Sequence, residues 1–390
     1  MEQSVKDILA DDFWIMPATP EYIDEGVPYI TSKNIKNSII DFTKVNYISQ
    51  DAYENISKNR PILVGDILIS MIGTLGETAE VKESDGSFYG QNMFLVRLDE
   101  SKINKRYFLN FFKSNCVKRA LEGKQNQSTQ KYLKANHIED LIIPVPALDE
   151  QKLIAKQLDK LAGIIALRNE ELKYLDNLIK ARFVELFGDP KLNDKGWDAG
   201  IISDYYEVKG GKRIPKGMGY ADGVTAHPYL RATDMKNETI LDDDIHYIDE
   251  EVYEHIKRYT VKSGDIYLTN VGVNLGMAGV IPEKYDGANL TENAVKLVPK
   301  TEKVIDGIFL AHYINSPGIQ DYINERKMSV GVPKLAIFRI ETMPLLLPPM
   351  DIQMQFIEFC NQVDKSKVAV QKSLDETQQL FDSLMQKYFG

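Results

Sequence analysis

The chain has 390 residues, enough for two or three domains with proper cores, and its 43% hydrophobic and 27% charged residues are those of an ordinary soluble globular protein. Its formal net charge of −10 counts against a lone nucleic-acid binder, although a local basic face or partner subunits could still supply the affinity. Two distant cysteines, Cys116 and Cys360, exclude a disulfide framework and a thiolate metal site; the polar start Met1-Glu2-Gln3-Ser4 is no signal peptide, and no apolar run reaches membrane-spanning length, so a reducing cytoplasm is expected.

In chain order, residues 1–148 mix short β-rich runs with turns. Gly65-Asp66 before Ile67-Leu68-Ile69-Ser70 reads as a turn feeding a buried strand, Phe88 to Leu98 as a further strand, and Tyr107 to Leu121 as an amphipathic helix. Ile143-Pro144-Val145-Pro146 ends the globular part and sets up a helix start. From there Ile154, Leu158, Leu161, Ile165, Arg168, Leu172, Leu175, Ile179, Arg182 and Leu186 alternate by fours and threes, a heptad seam on one long helix over 149–190.

The pattern then starts again over 191–348. Gly264-Asp265-Ile266-Tyr267-Leu268-Thr269 answers to Gly65–Ser70, and Pro228-Tyr229-Leu230 to Pro28-Tyr29-Ile30. Gly272 and Gly276 answer to Gly73 and Gly76, Asn293 to Asn92, and Met350-Asp351-Ile352-Gln353 to Leu148-Asp149-Glu150-Gln151. Asn289 to Val298 reads as a strand and Ile308 to Asn324 as a helix. A second long helix over 349–390 carries Phe356, Cys360, Val363, Lys367, Val370, Leu374, Thr377, Phe381, Leu384 and Tyr388 in the same register. A repeat of about two hundred residues is a duplicated domain and not a solenoid unit. Two like modules suggest one task performed at two places on a ligand with two similar places, and duplex DNA is such a ligand. The expected fold is α+β: two mixed modules, each followed by a long helix, the helices pairing antiparallel under a pseudo-twofold axis. The plainer alternative is two helices that each pack only on their own module.

The duplicated module, the segment Pro144-Val145-Pro146-Ala147-Leu148-Asp149-Glu150-Gln151 and the heptad helix closing in Glu185-Leu186-Phe187-Gly188-Asp189-Pro190 resemble the DNA-specificity subunit of type I restriction-modification enzymes over the whole chain. The resemblance implies two target-recognition domains, each reading one half of a bipartite, asymmetric DNA site. It implies that the helices form a ruler between the halves and dock two modification subunits, which carry S-adenosylmethionine and methylate adenine. Restriction subunits that use ATP and Mg²⁺ join such complexes, and this chain would be non-catalytic and hold no cofactor of its own. One departure stands out: Phe13-Trp14-Ile15-Met16-Pro17 occupies the place of Val208-Lys209-Gly210-Gly211-Lys212-Arg213-Ile214-Pro215 in the second half, which puts a shared contact there in doubt.

Self-sufficient chemistry is hard to find. There is no aminomethyltransferase motif, no Walker loop, no dinucleotide fingerprint, and the five histidines, His137, His227, His246, His255 and His312, lack metal-ligand spacing. Asp194 or Asp198 followed by Glu207-Val208-Lys209 resembles a metal-dependent nuclease pattern, but Glu171-Leu172-Lys173 repeats it on a helix, as chance would. A protein-binding scaffold is the third reading.

DNA reading needs phosphate donors and side chains that bond base edges. Two loop pairs fit. The first is Lys33, Asn34, Lys36 and Asn37, matched by Arg231, Thr233, Lys236 and Asn237; the second is Gln127, Ser128, Thr129, Gln130 and Lys131, matched by Ser329 and Lys334. Lys212 and Arg213 add a basic run in the second half only, suited to phosphate or to plain solvation. Arg168, Arg182 and Lys367 at seam positions either fix register or meet acidic groups of a partner. Asn92 and Asn293 are expected to satisfy buried backbone.

Overall fold

The computed structural model describes residues 2–16, 20–36, 38–73, 75–123, 132–300, 304–328 and 331–390. The chain divides into two compact units, Met1–Glu170 with Gln371–Gly390, and Glu171–Val370. Each unit therefore holds one globular module, part of one long helix and the complementary part of the other.

In unit 1 a four-stranded antiparallel sheet runs in the order Trp14–Ile15, Met93–Val96, Ile67–Ser70, Thr78–Glu80. A three-stranded sheet of Asn46–Ile48, Val27–Thr31 and Tyr89–Gln91 stands beside it, its last pair parallel. Unit 2 repeats both. Its four-stranded sheet is Tyr206–Gly210, Ala294–Pro299, Ile266–Thr269, Ala278–Val280, and its three-stranded sheet is His246–Ile248, His227–Leu230, Asn289–Leu290.

The repeated Gly-Asp turns explain the best-matched strands. Gly65 and Gly264 adopt φ of +92° and +82°, a region that side chains disfavour. Asp66 accepts the Leu63 N–H at 2.8 Å and pairs with Arg97 at 2.7 Å; Asp265 accepts the Lys262 N–H at 2.9 Å and pairs with Lys296 at 3.2 Å. The four residues that follow each turn are wholly buried.

The expected second strand and the expected helix are split in both halves, the strand of 289–298 into Asn289–Leu290 and Ala294–Pro299 in different sheets. The single strand of 88–98 is two strands in different sheets, broken at Asn92, whose φ of +61° turns the chain from one sheet into the other. Asn92 and Asn293 serve there through their own carbonyls, which accept the Met71 and Asn270 N–H groups at 3.0 and 2.9 Å. The helix expected over 107–121 is Lys105–Phe112 and Asn115–Gly123, and its counterpart is Gly307–Asn315 and Pro317–Arg326, where proline at the first helical position restarts the turn.

The long helices are Leu148–Phe187 and Met350–Phe389, 40 residues and about 60 Å each. Gln151 and Gln353, both wholly buried, fasten their starts to the modules. Gln151 accepts the Asn104 N–H at 2.7 Å and donates to the Lys102 and Pro146 carbonyls at 3.0 and 2.8 Å. Gln353 does the same with Asp306 at 2.9 Å, Val304 at 3.1 Å and Pro348 at 2.8 Å.

Within each unit the helices pair antiparallel. In unit 1 the Tyr388 hydroxyl donates to Gln157 at 3.3 Å, and Phe381 and Leu384 join Ile154 and Leu158 in one core. In unit 2 Lys367 pairs with Asp176 at 2.7 Å, while Ile179, Phe356 and Val363 share a core. Burial works against the Lys367 charge, but Asp176 and Asp364 outweigh it and hold its pKa above the ordinary value. Leu161, Ile165, Leu172, Leu175 and Leu374 are half-buried and Val370 is buried. At the helix ends the inward face has moved on by one residue. Phe183 and Phe187 are buried where the seam runs through Arg182 and Leu186, and Met385 and Phe389 where it runs through Leu384 and Tyr388. A straight helix of 3.6 residues per turn drifts in this way against a 3.5-residue repeat.

Candidate nucleic-acid interface

In unit 2 three loops meet at one edge. The turn Gly272–Gly276, between strands Ile266–Thr269 and Ala278–Val280, touches both expected reading loops. Asn274 Nδ2 donates to the Ala232 carbonyl at 3.3 Å, and the Gly272 N–H donates to Pro333 at 2.9 Å. Lys334 pairs through its backbone with Met328 and Val271 and leaves its side chain exposed. Between these loops Val273 is 98% exposed. Unit 1 repeats one arm, with Ile72 bridging Tyr132 and the Leu133 N–H donating to Met71 at 2.9 Å. Gln127, Ser128, Thr129, Gln130, Lys131, Asn37 and Ser329 lie outside the described residues. Sequence reasoning singled out Gly73, Gly76, Gly272 and Gly276 only as repeat landmarks. All four have positive φ, and that repeated backbone requirement is the signal that marks the missed loop.

Among the first loop pair, Lys33, Lys36, Thr233, Lys236 and Asn237 are exposed. Asn237 and Glu238, at φ of +53° and +56°, form the two-residue turn between Met235–Lys236 and Thr239–Ile240. Two expected readers are not available as readers. Asn34 is 8% exposed and spent within its own loop: its Nδ2 donates to the Asp41 and Lys44 carbonyls at 2.8 and 3.0 Å, and its Oδ1 accepts the Thr31 N–H at 2.9 Å. Arg231 is clamped, with Asp234 at 2.7 Å, Asp244 at 3.0 Å and His246 at 3.2 Å. The Asp234 carboxylate, together with Asp244, outweighs burial and holds the guanidinium pKa above its ordinary range. A short polar loop holds its shape with such bonds, so the residue types that suit base edges here serve the loop itself.

Lys212 and Arg213 follow strand Tyr206–Gly210. Arg213, Tyr220, Tyr229, Thr233 and Glu292 line a cleft of ≈490 Å³. The Lys212 ammonium stands 5.8 Å from the centre of the Tyr259 ring.

The nuclease constellation does not assemble. Asp194 accepts the Asp189 N–H at 2.8 Å, and Glu207 pairs with Lys209 at 2.8 Å. Among the described residues no group of His, Cys, Asp and Glu stands in metal-holding geometry, and no helix is long and apolar enough to cross a membrane.

The family described as the type I restriction modification DNA specificity domain matches residues 16–177 and 194–378. A specificity subunit of the EcoBI type I restriction enzyme from Escherichia coli is 22% identical over 395 residues, covering 94% of this chain and 80% of the relative. A MjaX specificity subunit from Methanocaldococcus jannaschii is 30% identical over 194 residues, covering 47% of this chain and 45% of the relative. A chain from a solved type I restriction-modification system superposes with a TM-score of 0.62 at 15% identity, covering 100% of this chain and 97% of that one. The S subunit from M. genitalium gives 0.55 at 14%, covering 100% and 96%. These last two likenesses concern the fold. With the family match spanning most of both halves, the chain belongs to the type I restriction-modification DNA-specificity family.

Proposed function

We propose that this chain is the DNA-reading subunit of a type I restriction-modification complex. Each module reads one half of a bipartite, asymmetric duplex site, and the paired helices set the spacing between the halves. The observation that carries the reading is the duplicated scaffold, with the same pair of sheets in each module, one arm of the loop edge repeated, and the two helices joined in antiparallel register. Lys33, Lys36, Lys212, Lys236 and Lys334 supply phosphate contacts, while Thr233 and Asn237 face the duplex.

In this reading the chain performs no chemistry. Two modification subunits, bearing S-adenosylmethionine, methylate adenine, and restriction subunits with ATP and Mg²⁺ join them in the cytoplasm. The outer faces of the helices support docking, since Leu153, Leu167, Leu178, Val368 and Leu380 are each about half or more exposed.

The ruler is tested by shortening it. Tyr388 faces Gln157 and Lys367 faces Asp176, so residues 164–170 lie opposite 374–380. Removing both heptads keeps the seam in register and shortens the pair by about 10 Å. Methylome sequencing of cells with the modification partner should then return both half-site sequences unchanged and a shorter spacer. A folded, assembled variant with the original spacer would sink the ruler.

A further inference from the structure

Unit 2 has one residue more than unit 1 where the chain passes from the three-stranded sheet to the four-stranded one. In unit 1 this passage runs from Tyr89, opposite Tyr29, to Met93, opposite Ser70. In unit 2 it runs from Asn289, opposite Tyr229, to Ala294, opposite Thr269. The additional residue is Glu292, between Thr291 and Asn293. The segment facing it differs as well. By register Trp14 and Ile15 hold the places of Lys209 and Gly210, and the sequence that follows them, Met16-Pro17-Ala18-Thr19-Pro20, holds no arginine or lysine. Gly211 is required for the close approach, because a Cβ there would lie 2.0 Å from the Thr291 carbonyl oxygen.

The outcome is an arginine held by its inner nitrogen alone. Arg213 Nε donates to Glu292 Oε1 at 2.5 Å, and Glu292 Oε2 accepts from the Thr291 hydroxyl at 3.2 Å. The Tyr229 hydroxyl donates to the Lys212 carbonyl at 2.9 Å and fixes the backbone beside it. Among the described residues nothing binds the two Nη groups, and the Arg213 side chain is 78% exposed at the mouth of the cleft.

We propose that Arg213, aimed by Glu292, reads a guanine in the second half-site, a contact that the first half lacks. The inference rests on the reading that the modules bind duplex DNA. A phosphate is a poor occupant, because the Glu292 carboxylate repels it and the ion pair is neutral as a unit. The O6 and N7 acceptors of guanine are uncharged and match the free Nη fork. Lysine, a single point charge, cannot reproduce that fork.

The test uses the assembled methyltransferase complex and a randomised-site DNA library, methylated at two salt concentrations, with Arg213→Ala, Arg213→Lys, Glu292→Gln and, for comparison, Lys236→Ala. Arg213→Ala and Arg213→Lys should each reduce preference for guanine at one position of the second half-site by about tenfold or more. The first half-site should stay as it is, and for Arg213→Ala the salt dependence should as well. Glu292→Gln should weaken the same preference several-fold and leave every other position alone. An unchanged motif with a shallower salt slope would make Arg213 a phosphate contact. An unchanged motif and slope would make the pair ordinary surface. Either result overturns the proposal, while melting curves of the variants check the fold. A wild-type complex that yields no bipartite motif would overturn the underlying DNA-reading function instead.

Discussion

The two modules grip the long helices with the same amide and with different titratable groups. The buried Gln151 and Gln353 make matching sets of three hydrogen bonds. About two helical turns further along the long helices the junctions part company. In unit 1, Arg106 and Asn110 meet Asp159 on the long helix at 2.9 and 3.2 Å. In unit 2 the place of Asn110 is taken by His312, buried against Cys360 at 3.9 Å and with Glu238 at 4.0 Å. Even the aromatic anchor has moved: Tyr107 donates to the Pro144 carbonyl at 2.9 Å, whereas Tyr313, one turn further along its helix, donates to Pro344 at 3.0 Å. The difference teaches that the duplicated scaffold is conserved in its backbone satisfaction and free in its charge chemistry. A buried backbone group has few solutions, while a partly wet pair has many.

The largest expected effect tests the shared part. Gln353→Leu leaves the Asp306 N–H and two carbonyls without their partner and should destabilise unit 2 by about 2–4 kcal/mol; Gln151→Leu should cost unit 1 a similar amount. Hydrogen exchange resolved by module is the measurement. A marked inequality between the two substitutions would mean that the junctions are not equivalent after all.

A smaller effect tests the part that differs. Burial lowers the His312 pKa below its ordinary 6.5, against the opposing pull of Glu238 and Asp364 and with Lys367 adding to the shift. As pH falls through about 6.5 the unfolded chain takes a proton that the folded unit does not, so stability is present above that pH and is lost below it. Acidification should weaken unit 2 by up to about 1.4 kcal/mol per pH unit through this group. His312→Asn, which copies Asn110, should remove that contribution. Melting of wild type and variant at pH 7.5 and 5.5 would show it, and equal pH losses in both would assign the acid sensitivity elsewhere.

Much of this architecture was legible because it is written twice. The Gly-Asp turns, the heptad seam and the module ends are patterns of backbone demand and apolar period, and such patterns survive duplication. The places where reading failed are those where polar residues fold onto their own loops. Asn34 and Arg231 have the chemistry of base readers, yet their partners Asp41, Lys44 and Asp244 lie seven to thirteen residues away and enter only through the turn geometry. The Asn92 break was missed for a related reason: apolar residues stand on both sides of Gly90-Gln91-Asn92, and only the left-handed φ shows that the chain changes sheets there. Phe183 and Phe187 escaped the seam because a strict seven-residue count ignores helical drift.

The smallest expected effect separates charge from shape at the edge of unit 1. Lys33 is exposed with no carboxylate partner among the described residues, whereas Lys36 stands 3.5 Å from Asp41. A phosphate contact made by Lys33 releases counterion in full, so Lys33→Ala should flatten the log–log salt slope by about 0.9, equivalent to about 0.7 kcal/mol between 50 and 200 mM salt. Lys36 brings Asp41 with it, and part of its field is already cancelled, so Lys36→Ala should change the slope by less. Neither substitution should alter the methylated motif, since a lysine ammonium offers no paired geometry to a base edge. Filter binding of the assembled complex across salt concentrations gives both slopes. Equal slopes for the two variants would mean that Lys36 leaves Asp41 on binding, and that the ion pair is a resting arrangement which the duplex dissolves.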